Sequence, residues 1–237
     1  MNPATDALAR QRLLQIECAR HAVMDEGRSL TDALVEAWYA QSQAPGQGEQ
    51  AWITRSWQRC LAQGRRPGQR LAFELVPAAA LRRHQEANHA LIQAARPVLE
   101  RLCRAIASTR YFAILTNAQG TVIEVGGPVD RSDPRAEAIA RVGVDLSERS
   151  IGTSAIGAAL AERHPVWLHR GEHFFDDTSA YSCAGAPLFG PDGHCVGMLD
   201  LTGIDALERP ELKHLVAQSA RSIENALTLG QPHRLLL

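Results

Sequence analysis

Two apolar runs, SCAGAPLFG and HCVGMLDLTG, stand end to end with only Pro191-Asp192-Gly193 between them. Proline presets φ for a turn and glycine tolerates positive φ, so the three residues suit a tight connection, and the runs on either side read as a β-hairpin. The hairpin commits the chain to an antiparallel sheet and sorts its side chains. With Gly190 paired to Gly193, Cys183 lies opposite Asp200, Gly185 opposite Met198 and Pro187 opposite Val196. Alternation then puts Ala184, Ala186, Leu188, Leu199 and Leu201 on one face, to pack on helices. Cys183, Met198 and Asp200 share the other face and look toward a cavity. Cys183 and Cys195 fall several rungs apart in this register, beyond disulfide reach.

The rest of the chain supplies helices for that sheet. Residues 1–42 carry apolar residues at three- and four-residue steps, and residues 43–49 (QAPGQGE) form a connector. A helix over 50–63 places Trp52, Ile53, Trp57 and Cys60 on one side, an apolar anchor onto the main domain. The longest helical pattern, 78–108, has Leu91, Ala95, Val98, Leu102 and Ile106 on one stripe, and Pro97 predicts a kink or break there. Strands follow at 111–117 and 121–125, short helices at 134–142 and from Ser147 to near Glu162, a strand at 165–168, and a last helix at 210–229. This order predicts an α+β fold, an antiparallel sheet flanked by helices with an N-terminal helical extension. The expected units are 1–70 (helical), 71–229 (the main domain) and 230–237 (a linker or the start of a further domain).

Composition narrows the function. A formal net charge of -1 gives no basic field for nucleic acid. No run is long enough to cross a bilayer, and the N-terminus lacks a signal-peptide core, so a cytoplasmic protein is expected. The five cysteines show no metal-like pairing or disulfide framework.

Polar residues concentrate between the helix ending near Glu162 and the hairpin, in LHRGEHFFDDTSAYSC. His169, His173, Asp176, Asp177 and Cys183 are competent metal ligands, but their spacing matches no closed zinc pattern, so neither metal nor cofactor is expected. Cys183 reads as a small buried hydrophobe rather than a reactive thiol. Glu172 and His173 could form an acid/base pair, yet no nucleophile accompanies them. Gly152-Thr153-Ser154 opens a helix rich in alanine and glycine. Its N-terminal amides suit a ligand and its small residues suit tight packing, and both readings stand.

The segments SWQRC (56–60), ANHALI (87–92), LSERSIGTSAIGAAL (146–160), PVWLHRGEHFF (165–175), SCAGAPLFGPDGHCVGMLDLTG (182–203) and SARSIENAL (219–227) resemble a GAF sensory domain over about 81–229. More narrowly, they resemble the N-terminal regulatory region of sigma-54-dependent activators of the acetoin-catabolism regulator type. The resemblance implies a ligand-sensing module. It also implies that contacts with DNA and RNA polymerase belong to an ATPase and a helix-turn-helix domain outside this chain. Arg170, where such proteins often carry a smaller residue, would favour an anionic ligand. The expected ligand-binding residues are Thr153, Ser154, Arg170, Glu172, His173, Phe174, Cys183 and Asp200, around a small-molecule effector. A homodimer through helices 78–108 and 210–229 is expected, because one sheet face cannot bury both apolar stripes fully while also hosting a pocket. Two other readings are a cysteine-dependent redox enzyme resembling free-methionine-sulfoxide reductase and a dimerisation module without ligand.

Overall fold

The computed structural model describes residues 51–231 together with Leu14, Ile16, Glu17 and Arg20. The remaining N-terminal helical pattern, the 43–49 connector and Cys18 lie outside the described residues, as do 232–237.

Helices α1 (Ala51–Ala62), α2 (Ala78–Ala87) and α3 (His89–Ile106) precede strands β1 (Tyr111–Asn117) and β2 (Val122–Gly126). Short helices α4 (Pro134–Ile139), α5 (Glu148–Ile151) and α6 (Ala155–Glu162) lead into β3 (Val166–His169). Two 3-10 turns, Arg170–Glu172 and Asp176–Thr178, form the β3–β4 loop. Strands β4 (Tyr181–Phe189) and β5 (Cys195–Ile204) and helix α7 (Leu212–Leu229) complete the order. The strands form one antiparallel sheet, β2-β1-β5-β4-β3, with the hairpin strand β5 at its centre. The α+β architecture is as the pattern predicts.

The hairpin register differs from the expected one in an instructive way. The Gly190 amide donates to the His194 carbonyl at 2.8 Å, so the loop holds all three of Pro191, Asp192 and Gly193, with Gly193 at φ 77. A bulge between Leu188 and Phe189 adds a second one-residue shift. Cys183 therefore pairs with Thr202 rather than Asp200, Gly185 with Asp200, and Pro187 with Met198. Two single shifts sum to two, and because side chains alternate with period two, partners change while faces do not. Ala184, Ala186, Leu188, Leu199 and Leu201 all pack toward α3 and α7, and Cys183 and Met198 join the cluster on the opposite face.

The face under α3 and α7 is filled by their stripes. Leu91, Ile92, Ala95, Val98, Leu99, Leu102 and Ile106 of α3 are buried, as are Leu212, Val216, Ala220, Ile223 and Leu227 of α7. Each large aliphatic side chain contributes roughly 1.5–3 kcal/mol by leaving water. The two stripes thus find their burial within the chain, on the face away from the cavity. The premise for a dimer through these helices is corrected accordingly. The helical pattern of 78–108 breaks at Asn88, not Pro97. Pro97 sits on the exposed side of α3, where water reaches the Gln93 carbonyl that loses its donor.

On the opposite face α1 contributes Trp52, Ile53, Trp57 and Cys60 to the same cluster as Ile114, Ile156, Phe174 and Met198, so the tryptophans do anchor the upstream helix. A boundary at residue 70 separates residues that share one core. Arg59 ties α1 to α5 and α6, donating to Glu148 at 2.6 and 2.8 Å and to Glu162 at 3.1 Å. Helix α6 lies so close to the sheet that a Cβ on Gly185 would meet the Ala155 carbonyl at 3.0 Å and Met198 Cε at 2.1 Å.

Candidate functional site

Alternation along β5 brings Asp200 and Thr202 onto the face away from α3 and α7, and pairing with β4 sets Cys183 opposite Thr202. Asp200 is held between two residues that offer its carboxyl nothing polar, Ile114 on β1 and Gly185 on β4. Thr202 Oγ1 donates to Asp200 Oδ2, and Cys183 Sγ lies 3.5 Å from Thr202 Oγ1. Among the described residues Asp200 Oδ1 has no hydrogen-bond partner, although Asp200 is 0% exposed. Burial pushes the carboxyl up to about 7, against the pull of Thr202. Burial likewise raises Cys183, with the Asp200 charge adding to it.

The β3–β4 loop closes over this face. Its first 3-10 turn is pinned by Glu172, whose Oε2 accepts from the His169 amide at 2.6 Å, while Trp57 Nε1 donates to the Glu172 carbonyl at 2.9 Å. Arg20 donates to the carbonyls of Gly171 (3.0 Å), His173 (2.6 Å) and Phe174 (2.9 Å) and to Asp176 Oδ1 (2.7 Å). The loop so held drives the His173 ring inward. His173 Nδ1 lies 3.0 Å from the Arg170 carbonyl, and the buried Nε2 has no hydrogen-bond partner among the described residues. Burial lowers the ring's pKa to about 4, outweighing the Arg170 carbonyl, so His173 is neutral at pH 7.

His173, Asp200, Thr202, Cys183 and Ser154 line one small cavity of about 30 Å³, walled by Phe73, Ile114, Ile139, Leu146, Ile151, Ile156 and Tyr181. The space holds one or two water-sized groups as it stands.

Of the expected site residues, Ser154, His173, Cys183 and Asp200 converge here and the other four do not. Thr153 Oγ1 is 2.7 Å from Ser56 Oγ, which donates to Glu148, so Thr153 fastens α1 to α6. Glu172 serves the loop backbone, and Phe174 packs edge-on to Phe175 at 5.0 Å inside the core. Arg170 is exposed, with φ 51, and reaches the site only through its carbonyl. The anionic preference argued from its guanidinium is corrected on that ground. At the start of α6 the small residues are used in packing, and Ser154 Oγ caps the Gly157 amide at 3.1 Å. Thr202 was missed, though its position two residues from Asp200 was signal enough. Phe73 comes from an irregular segment with no periodicity to point to it.

The four described cysteines are poorly placed for redox chemistry. Cys183 and Cys195 are separated by about six rungs, or about 20 Å of strand. Cys60 is buried and pushed up to about 11, and burial raises Cys103. Among the described residues, no three His, Cys, Asp or Glu side chains gather to hold a metal ion, and no helix is long and apolar enough to cross a membrane.

The profile of the MimR N-terminal domain family matches residues 47–225. The acetoin catabolism regulatory protein of Cupriavidus necator is 31% identical over 181 residues, which are 74% of this chain and 27% of that protein. The AcoR activator of the acetoin dehydrogenase operon in Bacillus subtilis is 27% identical over 176 residues, 74% of this chain and 29% of its own. The MimR activator of the propane 2-monooxygenase operon in Mycolicibacterium smegmatis is 29% identical over 148 residues, 61% and 25% of the respective chains. This chain thus spans about a quarter to a third of these relatives' lengths. Among solved structures, the Escherichia coli DhaR(N)-DhaL complex aligns with a TM-score of 0.69 at 18% identity, covering 75% of this chain and 60% of that one, a likeness of fold.

Proposed function

The chain belongs to the MimR N-terminal domain family, and from that premise we propose that it is the effector-sensing region of a transcriptional activator of a catabolic operon. Its relatives carry names of such activators. On this reading the cavity binds a small-molecule effector, and contacts with DNA and polymerase, including any dependence on sigma-54, belong to the remaining length seen in the relatives. The observation that carries the reading is the pair His173 Nε2 and Asp200 Oδ1. Both are buried, both lack a hydrogen-bond partner among the described residues, and both line one cavity. An unsatisfied buried polar atom costs on the order of 1–3 kcal/mol, so two facing one space favour an occupant that bonds to them.

The reading also supplies a route for the signal. His173 sits on a loop whose carbonyls are held by Arg20 and by Trp57 of α1. An occupant that moves His173 strains bonds to the N-terminal side of the chain, which converts occupancy into a shape change.

The test is a chimera in which this chain replaces the matching region of the C. necator regulator, read out by a reporter gene. Output that rises or falls with one added small metabolite supports the reading. Output indifferent to every compound in a broad panel of catabolic substrates, from a chimera that folds and binds its promoter, overturns it.

A further inference from the structure

We propose that a second ligand site lies at the end of the sheet, in the cleft between the α3–β1 turn and the β2–α4 connection, and that it takes a zwitterionic amino acid with an apolar side chain. The site is separate from the cavity under the β3–β4 loop and does not depend on the effector-sensing reading.

Two chain reversals make the cleft. After α3, Thr109 returns its amide (2.9 Å) and its hydroxyl (2.7 Å) to the Ile106 carbonyl, and Arg110 enters β1 through the left-handed region at φ 52. After β2, Gly127 at φ 95 turns the chain out of the sheet, until Asp133 caps α4 by accepting from the Arg135 amide at 2.9 Å. Arg135 also pairs with Asp133 at 2.7 Å and Asp205 at 2.8 Å, which ties this wall to the end of β5. The space between the walls is about 320 Å³, within the range of small-molecule sites, against about 30 Å³ for the other cavity. Phe112 and Ile204 lie two residues along their strands from Ile114 and Thr202, so both spaces open on one sheet face, yet they share no lining residue.

The charges at the rim set the ligand's character. Asp133 is fully engaged, since its two carboxylate oxygens accept from the Arg135 guanidinium at 3.0 and 2.7 Å. Asp130 is half engaged. Its Oδ1 accepts from the Ser132 hydroxyl at 2.6 Å and amide at 3.0 Å, and no bond among the described residues uses Oδ2. The Ser132 hydroxyl also holds this carboxyl below the usual carboxylate range, so it is ionised at neutral pH. The Arg110 guanidinium has no ion pair or hydrogen bond among the described residues. One unmatched cation and one unmatched anion thus line a single cleft, over a floor of Phe112, Ala136 and Ile204, all buried. A carboxylate answers the guanidinium, and an ammonium group answers Asp130 Oδ2. A singly charged molecule satisfies one group and leaves the other unmatched. An amino acid satisfies both, and an apolar side chain covers the floor.

The experiment follows amide NMR spectra of the full chain at pH 7 during titration with L-leucine, N-acetyl-L-leucine, 3-methylbutan-1-amine and glycine. Leucine is expected to shift the amides of 107–112 and 129–136. N-acetyl-L-leucine lacks the ammonium group and the amine lacks the carboxylate, so each should bind about three- to fivefold more weakly, as suits exposed charge pairs. Glycine, without a side chain for the floor, should be at least about tenfold weaker. Arg110→Asn uses a residue that tolerates positive φ, and Asp130→Asn keeps an acceptor for Ser132. Each should weaken leucine about three- to fivefold. Arg110→Asn should leave the amine's affinity unchanged, and Asp130→Asn that of N-acetyl-L-leucine, because each analogue lacks the group that the substituted side chain would meet. His173→Asn, in the other cavity, should alter none of these titrations.

The proposal is overturned if leucine at about 10 mM shifts none of those amides, or if either singly charged analogue binds as tightly as leucine. It is also overturned if folded Arg110→Asn and Asp130→Asn chains bind leucine like the parent, or if the shifts fall at 169–183 and 200–202 and vanish in His173→Asn. Should a variant lose its dispersed spectrum, the ranking of the four compounds on the parent chain decides.

Discussion

Alternate residues of the same strands build two faces that differ in kind. Toward α3 and α7 the sheet presents Ala184, Ala186, Leu188, Leu199 and Leu201, which share an apolar cluster with Val98, Leu102, Val216 and Ile223. Among the described residues, Trp167 Nε1 on the edge strand β3 is without a hydrogen-bond partner on that side. Toward α1, α6 and the β3–β4 loop the same strands present Cys183, Asp200 and Thr202, and two unpartnered polar atoms share one cavity. A buried carboxyl on a central strand lowers stability, and it persists on one face only. The first face reads as the part that holds the fold, and the second as the part that gives up stability in favour of binding.

The largest expected effect separates the faces by truncation. Leu199→Ala, beneath α3 and α7, should cost on the order of 2–5 kcal/mol, because it opens a cavity in a filled layer. Urea denaturation of the chain measures it. Cys183→Ala, on the other face, removes a smaller side chain beside existing free space and should cost under about 1.5 kcal/mol. Equal costs would break the distinction between the faces.

Next comes pH, and here the cavity's two titrating groups oppose each other. Asp200 titrates at about 7 in the folded chain against a reference of 3.8, so its contribution is greatest below pH 3.8 and is lost as pH rises to 7. His173 titrates at about 4 against 6.5, so its contribution is present above pH 6.5 and is lost as pH falls to 4. Between pH 4 and 6.5 the folded pair holds one proton on Asp200 and the unfolded pair holds one on His173, so the two slopes cancel. Each single variant should uncover the other group. Asp200→Asn should lose stability on acidification from pH 6.5 to 4, and His173→Asn should gain it, each by a few kcal/mol. Melting temperatures across that window, compared with the parent chain, give the sign directly. Parallel pH profiles for the two variants would refute the opposed titration.

Much of the division between faces was legible in the sequence because period-two alternation survives an even error. The hairpin pairing was misplaced by two residues, through the longer loop at Gly190 and the bulge beside Phe189, and yet Cys183, Met198 and Asp200 stayed on their face. The loop resisted such reading. His173 and Phe174 are adjacent, but one ring lines the cavity and the other is packed in the core, because a 3-10 turn followed by extended backbone has no simple period. Glu172 and Arg170 looked like ligand contacts for want of any sequence signal that their work is done through the backbone. The partners of that backbone, Arg20 and Trp57, lie more than a hundred residues away in the chain.

The smallest expected effect sharpens the comparison by loosening one face alone. The Arg20 side chain is 18% exposed, and its carboxylate partner Asp176 is 67% exposed, so the ion pair itself contributes little. The carbonyls of Gly171, His173 and Phe174 matter more, because each loses a charged donor when Arg20 is removed. Arg20→Ala should therefore cost on the order of 1 kcal/mol overall, since water can reach part of what the guanidinium leaves. Its local effect should be larger than its global one. Amide hydrogen exchange should accelerate across residues 171–178 and stay unchanged in β1, α3 and α7, where the core is closed by apolar contacts that Arg20 does not touch. If the loop is the element that an occupant must displace, loosening it should also speed association of that occupant. Exchange that quickens equally on both faces would mean that the loop and the helix-covered core open as a single unit.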